Sequence, residues 1–336
     1  EATRNAQRYQ HAVEDRPIAR SGHPYPLTRS GPSVNGAIKP DFVEHAGNLA
    51  VRRNGGGTTD QGLGVLTTNG GFAGGHAFRE EVGTSFAAPF VAHRAAKLLR
   101  RVPDASHNML RALLGAHAAW PAPSIPLLNP NDNAEGREKL TRLVGYGGIN
   151  DDALEQSLDN VVSLICEEQI GNDRCQFYAV PIPDELWEGG RRAREVSVAL
   201  AYSPVVRTTR LDYRMTKLKF SLVVASDLDE VAAAFQRNRD QGMPERGTNR
   251  WLSGEARQAG TLQVSRWTFQ QRPRGQVYVV VTRQDATWSN VGDDPEPYAL
   301  CVSIADRTNA QSRLYVQVQA LIRARVEQRA RARVGG

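Results

Sequence analysis

Beyond about residue 160 the apolar positions of the chain recur at every second residue. Val196, Val198 and Leu200 form one such run; Leu218, Phe220, Leu222 and Val224 form another; Tyr298, Leu300, Val302 and Ile304 form a third. Alternation of this kind buries one face of a strand and leaves the other to polar or small residues. The longest run, Leu314, Val316, Val318, Ala320, Ile322, Ala324 and Val326, predicts a last strand with Gln317, Gln319, Arg323 and Arg325 on its other face. A helix does not satisfy that alternation. With roughly eight runs of this type, residues 161–336 read as an all-β antiparallel sandwich of jelly-roll-like form.

The first part of the chain follows other rules. Residues 1–80 are loop-rich, with Gly55, Gly56, Gly57, Gly70, Gly71, Gly74 and Gly75 separating short apolar runs. A helical period then sets in: Val91, Ala95, Leu98 and Leu99 share a face, and Pro103-Asp104 ends the run. A second helix follows, capped by Asp104 or Ser106, with Met109, Leu110, Leu113 and Leu114 as its buried face. Trp120 to Pro130 is a proline-rich connection, and a short helix near 151–159 is capped by Asn150 or Asp151.

Composition narrows the classes. At 336 residues, 40% hydrophobic and 23% charged, the chain can build real cores, so disorder is not the default. No apolar run reaches the eighteen or so residues that a membrane span needs. The opening EATRNAQRYQ is not a signal peptide, and its first residue is not Met, which points to processing or to a piece of a longer gene product. The net charge is +6, but the basic residues are scattered rather than interleaved with aromatics, which argues against a nucleic-acid surface. The exception is Arg323, Arg325, Arg329, Arg331 and Arg333, read as a solvated strand face that discourages edge pairing, with docking to an acidic partner or to nucleic acid as the other reading. Cys166, Cys175 and Cys301 cannot all pair with one another, so free thiols and a cytoplasmic location are expected.

The strongest chemical signal is Gly83-Thr84-Ser85-Phe86-Ala87-Ala88-Pro89, where a glycine-rich loop turns into the first helix. A serine at a helix N-terminus lies beside backbone N–H groups without intrahelical acceptors, and these can hold the oxyanion formed when its Oγ attacks a carbonyl. Gly83, Ala87 and Ala88 are small enough to let a substrate backbone approach, and Pro89 is tolerated where a helix starts. A plainer reading is that Thr84 or Ser85 merely caps the helix. The glycine-rich stretch lacks the G-K-[ST] of a phosphate cradle, and Gly145-x-Gly147 lacks the third glycine of a dinucleotide loop.

Gly83-Thr84-Ser85-x-Ala87-x-Pro89 resembles the serine motif of the subtilase family. Upstream, Ile38-Lys39-Pro40-Asp41-Phe42-Val43-Glu44-His45-Ala46-Gly47, preceded by Arg29-Ser30-Gly31-Pro32, is similar to that family's I-K-P-D-V-x-A-P-G segment. Downstream, Val144-Gly145-Tyr146-Gly147-Gly148-Ile149-Asn150 looks like its G-Y-G-x-x-N segment. The resemblance covers residues 1 to about 160 and implies an α/β fold, the C-terminal half of a subtilisin-like catalytic domain. The β extension resembles that of large bacterial subtilases. The chemistry implied is peptide-bond hydrolysis of a polypeptide substrate through an acyl-enzyme on Ser85, with a His as base, an Asp to orient it, and an Asn side chain completing the oxyanion hole. No cofactor is implied, and calcium binding is left open. Large cytoplasmic relatives also bring an ATPase partner into view.

The chain departs from the family in one respect. The acid motif D-[ST]-G and the base motif H-G-T do not occur; Asp60 is followed by Gln-Gly and His76 by Ala-Phe. Ala2-Thr3-Arg4-Asn5-Ala6 resembles the stretch that follows the oxyanion Asn, which makes Asn5 structural. The catalytic Asp and His are therefore expected outside this chain, in a missing N-terminal half of the catalytic domain. His45 and His76 are the nearest candidates for a replacement base, and surface satisfaction is the commoner fate of such a His. Two function classes result: part of a serine endopeptidase, or a non-catalytic binding or regulatory module that retains a subtilase scaffold.

Overall fold

The computed structural model describes residues 16–52, 54–59, 62–151, 154, 161–187, 194–238, 242–247, 251–292, 294–306, 314, 316–319 and 321. It is a mixed structure of helices and several antiparallel sheets, and its contacts divide it into two units. One comprises residues 1–104 and 118–150; the other comprises 105–117 and 151–336.

The first unit holds short strands. Strands β1 (Arg16–Pro17), β2 (Ala50–Val51) and β3 (Gly57–Thr58) form one antiparallel sheet, β4 (Val65–Thr68) and β5 (Phe78–Glu81) a hairpin, and β6 (Ala118–Ala119) and β7 (Gly148–Ile149) a third pair. Helix α1 (Ala87–Arg101) stops just ahead of Pro103, as its sequence predicts. Its burial is thinner than that of a core helix: Leu98 is buried, whereas Leu99 is 41% and Phe90 38% exposed. Helix α3 (Ser124–Leu128) and helix α4 (Ala134–Val144) follow β6. The Asn133 side chain caps α4 by accepting from Gly136 N, and Gly145 at φ 57° ends it.

In the second unit two antiparallel sheets share one hydrophobic cluster. The four-stranded sheet has the order β12 (Leu262–Phe269), β10 (Arg194–Tyr202), β14 (Glu296–Asp306), β8 (Val161–Ile170). The three-stranded sheet has the order β11 (Thr216–Ala225), β13 (Gln276–Asp285), β9 (Cys175–Ala179). The runs read from sequence at 196–200, 218–224 and 298–304 fall in β10, β11 and β14. Their alternating residues meet Trp267, Val279 and Val281 in the shared cluster. Helices α5 (Leu228–Arg237) and α6 (Gly254–Gln258) connect β11 to β12.

Helix α2 (His107–Ala116) joins this unit rather than the first, so the contacts do not divide the chain by a single cut near residue 160. Ser106 caps it, its Oγ accepting from Met109 N at 3.1 Å. Arg111 donates to Tyr202 O at 3.1 Å and to Thr261 Oγ1 at 2.9 Å. A Cβ on Gly115 would lie 2.8 Å from Val264 Cγ2, so the glycine lets the helix backbone settle onto the sheet. Residues Ala199, Ala299, Cys301 and Ala305 alternate with the core-facing ones and are small and buried too. The central strands are thus covered on both faces.

The expected last strand is a correction. Leu314, Val316 to Gln319 and Leu321 are helical where they are described. Leu314 and Val318, four apart, are both fully buried, while Val316, which the alternation placed with them, is 60% exposed. Every second position being apolar also supplies apolar residues at i and i+4, and here packing selects the 3.6 period. Arg323, Arg325, Arg329, Arg331 and Arg333 lie outside the described residues. Of the expected helix at 151–159, Asp151 and Leu154 are described and helical.

Candidate active site

Strand β5 leads through Val82 into the serine segment. Gly83 has φ 145° and ψ 152°, a region that a residue with a Cβ enters only at a cost of about 1–3 kcal/mol. Its N–H donates to Ala46 O at 2.7 Å, and its carbonyl accepts from Phe86 N at 3.0 Å. The result is a 3-10 turn over Thr84–Phe86 that runs directly into α1. Thr84 and Ser85 are exposed on this turn, Ala87 is half-buried beneath it, and Pro89 is exposed in the first turn of α1.

Neither the 3-10 turn nor α1 has a side-chain cap. The plain capping role for Thr84 or Ser85 is therefore not the one they fill. Among the described residues the Ser85 hydroxyl has no hydrogen-bond partner. It stands in solvent beside the first N–H groups of the turn, which by helix geometry lack intrahelical acceptors.

The three sequence segments that carried the family resemblance meet through residues 40–47. Tyr146 N donates to Asp41 O at 2.9 Å and Val43 N to Gly147 O at 3.0 Å, with Val43 and Gly148 paired as a parallel bridge. The approach is so close that a Cβ on Gly145 would lie 1.9 Å from Pro40 O, and one on Gly147 2.0 Å from Ala119 O. Gly31 N donates to Arg142 O at 2.7 Å, which ties in the preceding Arg29-Ser30-Gly31-Pro32. Residues 40–47 are thus a hub, fixed by 145–148 and holding Gly83 through Ala46.

A buried ion pair braces the hub against α1. Arg94 Nη1 donates to Glu44 Oε2 in a short contact, and Glu44 is only 5% exposed. His45 N donates to Glu44 Oε1 at 3.1 Å, and His45 Nε2 lies 3.4 Å from the same oxygen. The His45 ring meets Phe90 edge-on, with centroids 6.4 Å apart. This places His45 along α1 with Phe90 and Arg94, and Ser85 takes no part in the cluster. Sequence reasoning missed Glu44 and Arg94 as a pair because they are fifty positions apart. The available signal was an acid one position after the apolar Phe42-Val43.

Beside the turn lies a mostly apolar cavity of about 230 Å³, walled by Thr84, Ala87, Ala88, Phe42, Glu44 and Tyr25. Burial pushes the Tyr25 hydroxyl above the usual tyrosine value. His76 is exposed on the β4–β5 loop, where its backbone carbonyl accepts from Asn69 Nδ2 at 2.9 Å. Asp60 and Ala2-Thr3-Arg4-Asn5-Ala6 lie outside the described residues. Among the described residues no group of three or more His, Cys, Asp or Glu is placed to hold a metal, and no helix is long and apolar enough to cross a membrane.

Comparison with known proteins agrees with the convergence of these motifs. The model of the Subtilase family matches residues 2–147. A curated relative, the uncharacterized protein y4bN of Sinorhizobium fredii (strain NBRC 101917 / NGR234), is 31% identical over 324 residues, spanning 93% of this chain and 73% of the relative. The chain belongs to the subtilase family through its first part, and that family is one of serine proteases.

Proposed function

We propose that Ser85 is the nucleophile of a serine endopeptidase whose general base, orienting acid and second oxyanion donor are supplied from outside residues 1–336. The observation that carries the reading is the exposed, uncapped Ser85 hydroxyl at the mouth of α1, inside a Gly-Thr-Ser-x-Ala-x-Pro segment that Gly83 suspends from Ala46. In the reaction Ser85 Oγ attacks the scissile carbonyl while a His takes its proton. The tetrahedral oxyanion is held by N–H groups of the 3-10 turn. The C–N bond breaks as the His returns the proton to the leaving amine, and water then hydrolyses the acyl-enzyme by the same route. No cofactor enters these steps. The exposed residues of α1, Ala88, Phe90, Ala92 and Leu99, support the docking of a further segment there.

The two sheets of the second unit read as a jelly-roll-like sandwich appended to this domain. That Cys166, Cys175 and Cys301 form no disulfide supports a reducing, cytoplasmic setting. An ATPase partner belongs to the proposal through family resemblance alone.

The test is active-site labelling. In the 336-residue protein a fluorophosphonate is expected to modify Ser85 at least about 10⁴-fold more slowly than it modifies a serine protease with its base in place. In a longer protein carrying D-[ST]-G and H-G-T upstream in frame, labelling and peptide cleavage are expected to be rapid, and Ser85→Ala to abolish both. Cleavage by that Ser85→Ala protein at the normal rate removes Ser85 from the role. A longer protein that is neither labelled nor active assigns the chain to the binding-module class instead.

A further inference from the structure

A second concave site lies in the other unit, at one end of the two sheets. Four stretches of chain build it: the end of β11 (Val224, Ala225), Ser226 and the first turn of α5 (Glu230), residues 243–247, and the end of β12 (Phe269) with the connection to β13 (Pro273, Arg274). They enclose a cavity of about 490 Å³. The 243–247 segment is pinned to the sheet by Arg246 N donating to Leu222 O at 3.2 Å. Gly247 at φ 85° lets that segment lie against Phe269, since a Cβ there would be 2.9 Å from the ring Cζ. Apolar lining comes from Val224 and the buried Phe269, and from Met243, which packs on a neighbouring buried cluster. Concave apolar sites with a few converging polar groups are the usual form of ligand pockets.

The polar groups are what select a ligand. Arg246 and Arg274 both line the cavity, and neither guanidinium has an ion-pair or hydrogen-bond partner among the described residues. Other arginines of this unit are engaged: Arg257 with Glu245, Arg283 with Asp285, Arg272 with Asp184. Two guanidiniums without partners among the described residues, in a cavity with apolar lining, fit an anion on an apolar stem, and a planar carboxylate matches the guanidinium fork. Glu230 shares the rim, its Oε2 accepting from Ser226 N at 2.8 Å. Its charge counts against a dianion such as a phosphate monoester and leaves a monoanion favoured. Its other oxygen is an acceptor that an amide N–H can use and a fatty-acid tail cannot.

We propose that this cavity binds the C-terminal end of a polypeptide: the terminal carboxylate on Arg246 and Arg274, an apolar last side chain on Phe269, and a peptide N–H on Glu230. The site lies in the unit without Ser85, so binding there does not depend on the hydrolytic reading.

The test uses the 336-residue protein carrying Ser85→Ala, so that cleavage cannot consume the probe, and a fluorescein-labelled hexapeptide ending in Leu with a free carboxylate. Fluorescence anisotropy is expected to show saturable binding that weakens with added salt. Amidating the peptide C-terminus, Arg246→Gln or Arg274→Gln is each expected to weaken binding about tenfold or more, the scale of one lost charge-assisted hydrogen bond. Both arginines are exposed, and the peptide's free-acid and amide forms test the site without any change to the protein. Equal binding of the amide, unchanged binding by the double Arg246→Gln/Arg274→Gln protein, absence of binding up to millimolar peptide, or equal competition by octanoate would each overturn the proposal.

Discussion

Arg94→Met tests whether the buried ion pair is what holds the scaffold around the Ser85 turn in place. Glu44 is 5% exposed, and Arg94 supplies its nearest positive charge. Removing one partner of a buried pair typically costs about 3–5 kcal/mol, because the remaining charge is stranded in a medium that solvates it poorly. His45 keeps its N–H on Glu44 Oε1 at 3.1 Å, so the low end of that range, about 3 kcal/mol, is the expected loss. Against domain stabilities of roughly 5–15 kcal/mol this is a large fraction. In Glu44→Gln/Arg94→Met both charges are gone, and at least half of the loss is expected back. Urea titration read by hydrogen-exchange mass spectrometry localises the effect. Peptides covering 40–47 and 87–101 should lose protection together in the single variant, because Gly83 hangs from Ala46, two residues beyond Glu44. A single variant within about 1 kcal/mol of the parent, the size of a surface pair, would refute the reasoning. So would a double variant as unstable as the single one.

Two further outcomes are expected. Gly83→Ala must place a Cβ at φ 145°, and its nearest neighbour would be Phe86 Cδ2 at 3.9 Å, so the cost is conformational rather than steric. A loss of about 1–3 kcal/mol in chemical denaturation is expected, and a neutral result would mean that the turn relaxes to another conformation. Cys301 is fully buried, and desolvation above all pushes its thiol up from 9.0 to about 12. The unfolded chain therefore ionises first as pH rises, and the stability attached to this protonated thiol, complete below pH 9, is lost between about pH 9 and 12. Between pH 9 and 10 the parent should lose roughly 1 kcal/mol more than Cys301→Ala does, measured by urea unfolding at each pH. Identical pH dependence of the two proteins would contradict that assignment.

Much of the second unit was legible because alternation along a strand reports directly which residues face a core. Val196, Leu218 and Leu300 with their neighbours all took the positions that their period demanded. The same logic failed at 314–321, where a continuous supply of apolar residues fits both periods and only the surrounding packing discriminates. It was also silent about the outer face of β10 and β14. Ala199 and Cys301 look like residues of a solvent-facing side, yet α2 lies over them, and a helix docking from a distant part of the chain leaves no trace in the strand itself. At the candidate site, the 40–47, 83–89 and 145–148 segments stood out because each carries particular residues at fixed spacing, and the structure brings 40–47 against both Gly83 and 145–148. Glu44 and Arg94 obey no such spacing.

The excursion of α2 makes the polypeptide pass from one unit to the other at 104, again at 117 and finally at 150. No single scissor cut can therefore hand over either half intact. A fragment starting at 151 would leave Ala199, Cys301 and their neighbours bare to water, and one ending at 150 would carry an orphaned greasy helix. Any exchange of the second unit for another would have to carry residues 105–117 along with 151–336.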